Sequence, residues 1–209
     1  GYYTSFKGNP NLKPENVIQY EIGYKVNAFL NKFDISQTFY NSKLRNEING
    51  SASHPEGGFT ASNMDSNSYR KGLETRINYN INRYSDASIS YDYVDSTQYN
   101  SSTENQQAEV RRPRNLININ YNNNFFNNLS INSNIFYSSK VKDTDFSSYP
   151  FQNVYMSSYF LFNTTLNYDV DSKNKVSLIF KNIFNREYNV VNDFNTPGFE
   201  VLINYRNNF

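Results

Sequence analysis

Leu73-Glu74-Thr75-Arg76-Ile77-Asn78-Tyr79-Asn80-Ile81-Asn82 decides the fold. Leu73, Ile77, Tyr79 and Ile81 alternate with Glu74, Arg76, Asn78, Asn80 and Asn82. Period two puts the first set on one face of a β-strand and the second on the other. The same rhythm continues downstream. Ala87, Ile89, Tyr91 and Tyr93 oppose Ser88, Ser90 and Asp92. Ile117, Ile119 and Tyr121 oppose Asn118, Asn120 and Asn122. Leu129, Ile131 and Ile135 oppose Ser130, Asn132 and Asn134. Phe160, Phe162, Leu166, Tyr168 and Val170 oppose Asn163, Thr165, Asn167 and Asp169. Val176, Leu178 and Phe180 form the next set, and Phe199, Val201, Ile203, Tyr205 and Phe209 the last. Upstream, Tyr20, Ile22, Tyr24, Val26 and Ala28 alternate with polar residues or glycine, and Phe33, Ile35 and Phe39 hold the phase less regularly. About nine strands are expected, most of roughly 9–11 residues, the length a tilted strand needs to cross a bilayer.

Composition agrees with strands in a membrane. Aromatic residues make up 17% of the 209 residues, yet mean hydropathy is −0.76. A disordered chain lacks such an aromatic content, and a helical membrane protein shows long apolar runs that are missing here. A transmembrane β-barrel reconciles the two, because its apolar and polar faces alternate residue by residue. The net charge of +1, from 20 basic and 19 acidic residues, argues against nucleic acid as a partner. With no cysteine, zinc-thiolate and iron–sulfur sites and disulfides are excluded.

Connection lengths fix the topology. Short connections are expected near 30–32, 83–86, 124–128 and 171–174, and long ones near 49–68, 95–114, 140–158 and 185–198. Short turns on one side and long loops on the other characterise bacterial outer-membrane barrels. All six prolines lie in the long connections or before the first strand, as the loss of a ladder donor requires. The fold class is therefore all-β, an antiparallel up-and-down transmembrane β-barrel. An odd strand count with the C-terminus on the short-turn side cannot close in lipid without an open edge. Residues 1–209 are accordingly expected to be the C-terminal portion of a larger barrel.

Several segments resemble the TonB-dependent receptors of the bacterial outer membrane. Gly8-Asn9-Pro10-Asn11-Leu12-Lys13-Pro14-Glu15 and Tyr20-Glu21-Ile22-Gly23-Tyr24 are similar to the opening of the last third of that barrel. Lys71-Gly72-Leu73-Glu74 resembles its Gly-x-Glu strand entry, and Arg111-Arg112-Pro113-Arg114-Asn115 its Arg-Arg-Pro loop exit. Lys181-Asn182-Ile183-Phe184-Asn185-Arg186-Glu187-Tyr188 resembles its penultimate strand, and Phe209 its aromatic terminus. Phe199 follows Pro197-Gly198 where the family commonly has arginine. Within the family, Ser90-Tyr91-Asp92-Tyr93-Val94-Asp95 and Ser147-Ser148-Tyr149-Pro150-Phe151-Gln152 are most similar to cobalamin receptors.

The resemblance implies a receptor and transporter, not an enzyme. It would take up a scarce bulky small molecule, cobalamin first and a ferric siderophore second, with TonB acting through a plug domain that is absent from this chain. Outer-membrane lipid and, through Phe209, the barrel assembly machinery are the other implied partners. A passive porin or adhesin barrel and a soluble all-β carbohydrate-binding module are the alternatives.

For ligand binding, the candidate residues are Tyr99, Arg111, Arg112, Tyr149, Phe151 and Tyr155. Tyrosine and phenylalanine supply rigid contact area, and guanidinium forks match carboxylate and phosphate. The competing readings are an aromatic girdle at the membrane interface, with Tyr137 and Tyr188 among its members, and arginines turned to lipopolysaccharide or neighbouring loop acids. Asp92, Asp95, Glu104 and Glu109 could be paired for glycoside hydrolysis, but nothing in the sequence fixes their separation. His54 stands alone in a Gly-rich loop, so no metal site and no cofactor is expected.

Overall fold

The computed structural model describes residues 6–30, 32–48, 50–100, 104–147 and 150–208. Among them every regular element is a strand. They are β1 (Phe6–Lys7), β2 (Asn16–Ala28), β3 (Phe33–Arg45), β4 (Gly50–Ser53), β5 (Phe59–Ser62), β6 (Ser68–Asn82), β7 (Ser85–Asn100) and β8 (Asn105–Ala108). There follow β9 (Asn115–Phe126), β10 (Leu129–Ser138), β11 (Val141–Asp145), β12 (Gln152–Met156), β13 (Tyr159–Asp169), β14 (Asn174–Lys181) and β15 (Glu200–Asn207). Nine long strands lie side by side in the order β15-β14-β13-β10-β9-β7-β6-β3-β2, which is chain order with the short hairpins skipped. Every neighbouring pair from β7 to β15 is antiparallel. That is the expected meander. The order ends at β2 and β15. In hydrocarbon the outer ladder groups of those two strands need partners, which a closed barrel supplies.

Contacts divide the chain into two units. One comprises 1–21, 40–72 and 95–109; the other comprises 22–39, 73–94 and 110–209.

Within the second unit, register assigns the faces. Leu178 stands opposite Leu166 and Ile203, and Val176 opposite Tyr168 and Tyr205. Ile131 stands opposite Leu166, Ile119 opposite both Ile135 and Ile89, and Tyr91 opposite Ile117. The apolar sets thus share one face, since directly opposed residues point the same way. Tyr205, Ile203 and Val201 are at least half exposed on it. Among the described residues only Leu44 and Met156 are buried apolar side chains. A soluble sandwich needs an inner apolar layer. This sheet turns its apolar residues outward instead, as a surface solvated by lipid does.

The opposite face is a lattice of amides. Ser177 donates to Asn167 Oδ1 (2.7 Å), Asn167 Nδ2 to Asn132 Oδ1 (2.8 Å), Asn132 Nδ2 to Asn122 Oδ1 (2.8 Å), and Asn122 Nδ2 to Asp86 Oδ2 (2.9 Å). A second row runs from Asn163 Nδ2 to Asn134 Oδ1 (3.3 Å), from Asn134 Nδ2 to Asn120 Oδ1 (2.9 Å), and from Asn120 Nδ2 to Ser88 Oγ (3.3 Å). Within each row every carboxamide donates in the same direction, so the bonds polarise one another.

Aromatic side chains mark both margins of the apolar face. At the long-loop end Phe184 meets Phe160 and Phe162, each at 5.8 Å between centroids, and Phe199 stacks on Phe180. At the short-turn end Phe33 stacks on Tyr79 at 4.3 Å and meets Phe29 edge-on. In a transmembrane barrel such margins are where interfacial aromatic belts lie. Phe199, where the resembling receptors commonly have arginine, lies on Phe180 at that margin. Tyr137, opposite Phe160, lies on the same face. Tyr188 does not: it packs on Tyr159, whose neighbours Phe160 and Phe162 take the apolar side.

The short turns are as expected, two to four residues between strands. Asn82 Oδ1 accepts the N–H groups of Tyr84 and Ser85, and Asp171 Oδ1 those of Lys173 and Asn174. The long connections differ from expectation. β7 continues to Asn100 and returns through β8, with Tyr99 opposite Gln106. Val141–Asp145 pairs with Gln152–Met156 as the β11–β12 hairpin, and β4 pairs with β5. Long insertions must satisfy their own backbone groups, and pairing their arms does so locally.

The assigned phase has a direct test. Near the bilayer midplane Ile203→Arg costs on the order of 2–4 kcal/mol of folding free energy, and the neighbouring Asn204→Arg far less. Urea titration of the full-length protein folded into lipid vesicles measures both, and equal costs would contradict the phase.

Candidate ligand-recognition site

Sequence around Asp143 is an undistinguished polar run, Lys142-Asp143-Thr144-Asp145, yet Asp143 is the most buried polar residue at the long-loop end of the second unit. Its Oδ1 accepts Arg111 Nε at 2.8 Å and the Thr144 N–H at 2.8 Å; its Oδ2 accepts the Asn192 N–H at 2.8 Å. The backbone N–H of Arg111, a residue at φ +56°, donates to Lys142 O. One carboxylate therefore clasps three segments: the approach to β9, the β11–β12 hairpin and the last long loop. Burial alone would raise its pKa, but the N–H groups of Asn192 and Thr144 and the Arg111 guanidinium outweigh it and hold the carboxyl below its ordinary range.

A second node shapes the last loop. Asn182, nearly buried at φ +48°, accepts the Arg186 N–H on Oδ1 (2.8 Å) and donates Nδ2 to Arg186 O (3.0 Å) and Pro197 O (3.3 Å). Its own N–H reaches Asn163 Oδ1 at 2.9 Å, which ties the loop to the amide lattice. Asparagine tolerates the left-handed backbone that this turn requires. Asn185, also left-handed, accepts the Phe199 N–H and so aims the chain into β15.

Between these nodes a cleft of about 620 Å³ opens, lined by residues 156–159 and by part of 186–195. Tyr159 and Tyr188 pack in it with centroids 4.6 Å apart.

The candidate residues distribute unevenly around this geometry. Arg111 supports Asp143 and is committed to the protein, though its side chain remains 45% exposed. Arg112 follows it, also exposed. Tyr155, 67% exposed, stands opposite Lys142 on the hairpin, with Lys140 Nζ 5.8 Å from its ring centroid. Phe151 meets Phe146 edge-on at 5.0 Å across the hairpin. Tyr99 lies in the first unit, and Tyr149 and Phe209 lie outside the described residues. Asp143, Asn182 and the cleft were not among the candidates. Only the left-handed preference of asparagine could have signalled one of them.

The first unit has its own ionic node. Arg70 Nη2 donates to Glu47 Oε1 (2.8 Å) and Glu109 Oε1 (2.9 Å), and its Nε to Glu109 Oε2 (3.1 Å). Ser68 and Ser96 hydroxyls donate to Glu47 and Glu109 respectively. In the chain as a whole, Asp92 meets Arg76 and Asp95 meets Lys71. Asp92, Asp95 and Glu109 are thus each engaged by a different cation. His54 serves its turn, with Nδ1 accepting the Glu56 N–H. Among the described residues no three or more His, Cys, Asp or Glu side chains gather as metal ligands would.

The clasp predicts a pH dependence. Because the folded pKa of Asp143 lies below the unfolded value of about 3.9, its contribution is full above that value and is lost as pH falls through the folded one. Asp143→Ala strands a buried donor, at a cost of about 1–3 kcal/mol. Amides in 186–195 should then exchange roughly 10–100-fold faster at neutral pH, whereas in the unsubstituted receptor they remain protected down to about pH 4. Hydrogen exchange by mass spectrometry measures both.

Comparison with known proteins accords with this architecture. The family model described as TonB dependent receptor-like, beta-barrel matches residues 1–185. Among solved structures, the siderophore receptor PirA from Acinetobacter baumannii superposes with a TM-score of 0.75 at 15% identity, covering 98% of this chain and 33% of that one. The pyoverdine outer membrane receptor FpvA from Pseudomonas aeruginosa PAO1 gives 0.74 at 15%, covering 95% and 30%. The ferric-catecholate import receptor Fiu from K12 E. coli gives 0.73 at 13%, covering 96% and 29%. The chain thus spans about a third of the length of these structures, and at such identities the likeness concerns the fold. By its matched family and its strand wall, the chain belongs to the TonB-dependent receptor β-barrels of the bacterial outer membrane.

Proposed function

We propose that this chain is wall and loop material of a receptor that captures a scarce, bulky organic ligand outside the cell and imports it with energy from TonB, acting through a plug carried elsewhere in the protein. The carrying observation is the Asp143 clasp. It holds three long connections in one fixed arrangement, and a recognition surface benefits from loops ordered before the ligand arrives. A ferric siderophore is the favoured ligand, in keeping with solved structures whose names specify a siderophore, pyoverdine or a ferric catecholate. Cobalamin is second. Part of its resemblance rests on residues 90–95, which lie inside β7, where Tyr91 faces the apolar side opposite Ile117 and is remote in role from a ligand loop. Arg112, Tyr149, Phe151 and Tyr155 remain the proposed contacts from the hairpin and its neighbour, with Tyr99 contributed by the β7–β8 hairpin and Arg111 acting through Asp143. Phe209 is proposed as the residue read by the assembly machinery.

Replacing residues 145–152 of the full-length receptor by a short Gly-Ser turn keeps Asp143 and removes the hairpin tip. Calorimetry with ferric pyoverdine, a ferric tris-catecholate and cobalamin should show a loss of roughly tenfold or more for the ligand bound, with insertion in the membrane unchanged. Unchanged affinity for every ligand that the intact receptor binds would remove the hairpin from recognition. Uptake that persists in cells lacking TonB would favour a passive barrel.

A further inference from the structure

The cleft at the start of β13 differs in chemistry from the arginine and aromatic cluster on the hairpin. Its base is the Tyr159–Tyr188 pair, with ring planes tilted by 32°. Ser157 and Ser158 form one rim, and Asn189 and Asn195 belong to the loop opposite. Its charges are Arg186 against Glu187 and Asp193, a balance that disfavours an anion. A volume of about 620 Å³ lies in the range of small-molecule sites. Asn189 Nδ2 donates to Phe194 O at 2.9 Å and Asn192 Nδ2 to Asp193 Oδ2 at 2.9 Å. Their carbonyl oxygens, the Asn195 carboxamide and the serine hydroxyls offer acceptors and donors, so they suit a partner that itself carries both. Tyrosine faces add rigid apolar area for a flat group. No metal-ligating cluster exists among the described residues, so the cleft would read the organic part of a chelate and not its metal.

We infer that this cleft is a binding subsite for an uncharged, amide- and hydroxyl-rich moiety of the imported ligand, laid against Tyr188 between the serine rim and the asparagines. The inference rests on the receptor reading above. The walls are set before binding. Asn182 fixes both backbone groups of Arg186, and Asp143 fixes the N–H of Asn192, so little ordering cost remains. Two sources share this chemistry: the peptide arm of a siderophore and the amide-bearing periphery of a corrinoid.

The test uses the full-length receptor and three probes: ferric pyoverdine, which has a peptide arm; a simple ferric tris-catecholate, which has none; and cobalamin. Ser158→Phe fills the cleft from an exposed rim, and Tyr188→Trp places a reporter at its base in a chain stretch without tryptophan. Ser158→Phe should weaken the amide-bearing ligand roughly tenfold, with the barrel still inserted and heat-modifiable. Binding should quench the added emission of the Tyr188→Trp receptor, and Ser158→Phe in that background should abolish the quench. Preferential effects on ferric pyoverdine or on cobalamin identify the source. Tight binding that is indifferent to Ser158→Phe and silent at position 188 overturns the subsite and leaves the receptor reading intact, as does binding of the tris-catecholate alone. If the intact receptor binds none of the three, the proposed ligand classes fall and the subsite with them, while the barrel family stands.

Discussion

In hydrocarbon no water is present to pair with a backbone N–H or C=O, so a strand wall must satisfy every ladder group internally. That constraint fixes the rest of this chain. Strands must be long, must lie in chain order with tight turns, and must present apolar residues at every second position. A slip of one residue would turn isoleucines such as Ile119 and Ile203 inward and asparagines such as Asn132 and Asn167 outward. The amide rows oppose such a slip from the polar side. Asn132 reaches Asn122 on one neighbour and receives Asn167 from the other, so both partners hold its position.

Beyond the wall the constraint changes, because the long connections stand in water and need only satisfy themselves. They do so in two ways. Hairpin arms pair with each other, and single buried polar residues gather several segments. Asp143 does this with one carboxylate and three segments, and Arg70 with one guanidinium and two carboxylates. Both nodes are saturated, which explains why a long polar insertion can hold a shape without an apolar core. The same device separates recognition from support: Arg111, which reads as a ligand cation, is engaged by Asp143.

The wall is legible in the sequence because the bilayer enforces alternation residue by residue, and Leu73–Asn82 displays it openly. The far part of β7 is not legible. Asp95-Ser96-Thr97-Gln98-Tyr99-Asn100 is polar in both phases, since an arm in water need not alternate. Asp143 is invisible for a different reason. Its partners lie 32 and 49 residues away, and no local pattern encodes a meeting at that separation. The aromatic residues of the long connections are legible as aromatic but not as to side. Phe199 and Tyr188 are eleven residues apart in one loop, yet one joins the apolar belt and the other the tyrosine pair.

Carboxamides do not titrate. A wall lined by aspartates and histidines would exchange donors for acceptors, and gain or lose charge, as a bacterium moved between acidic and neutral surroundings. The asparagine rows keep one pattern of hydrogen bonding throughout, apart from the carboxylate of Asp86 at the end of one of them. A ligand moving along these rows would therefore meet the same pattern of hydrogen bonding in either habitat.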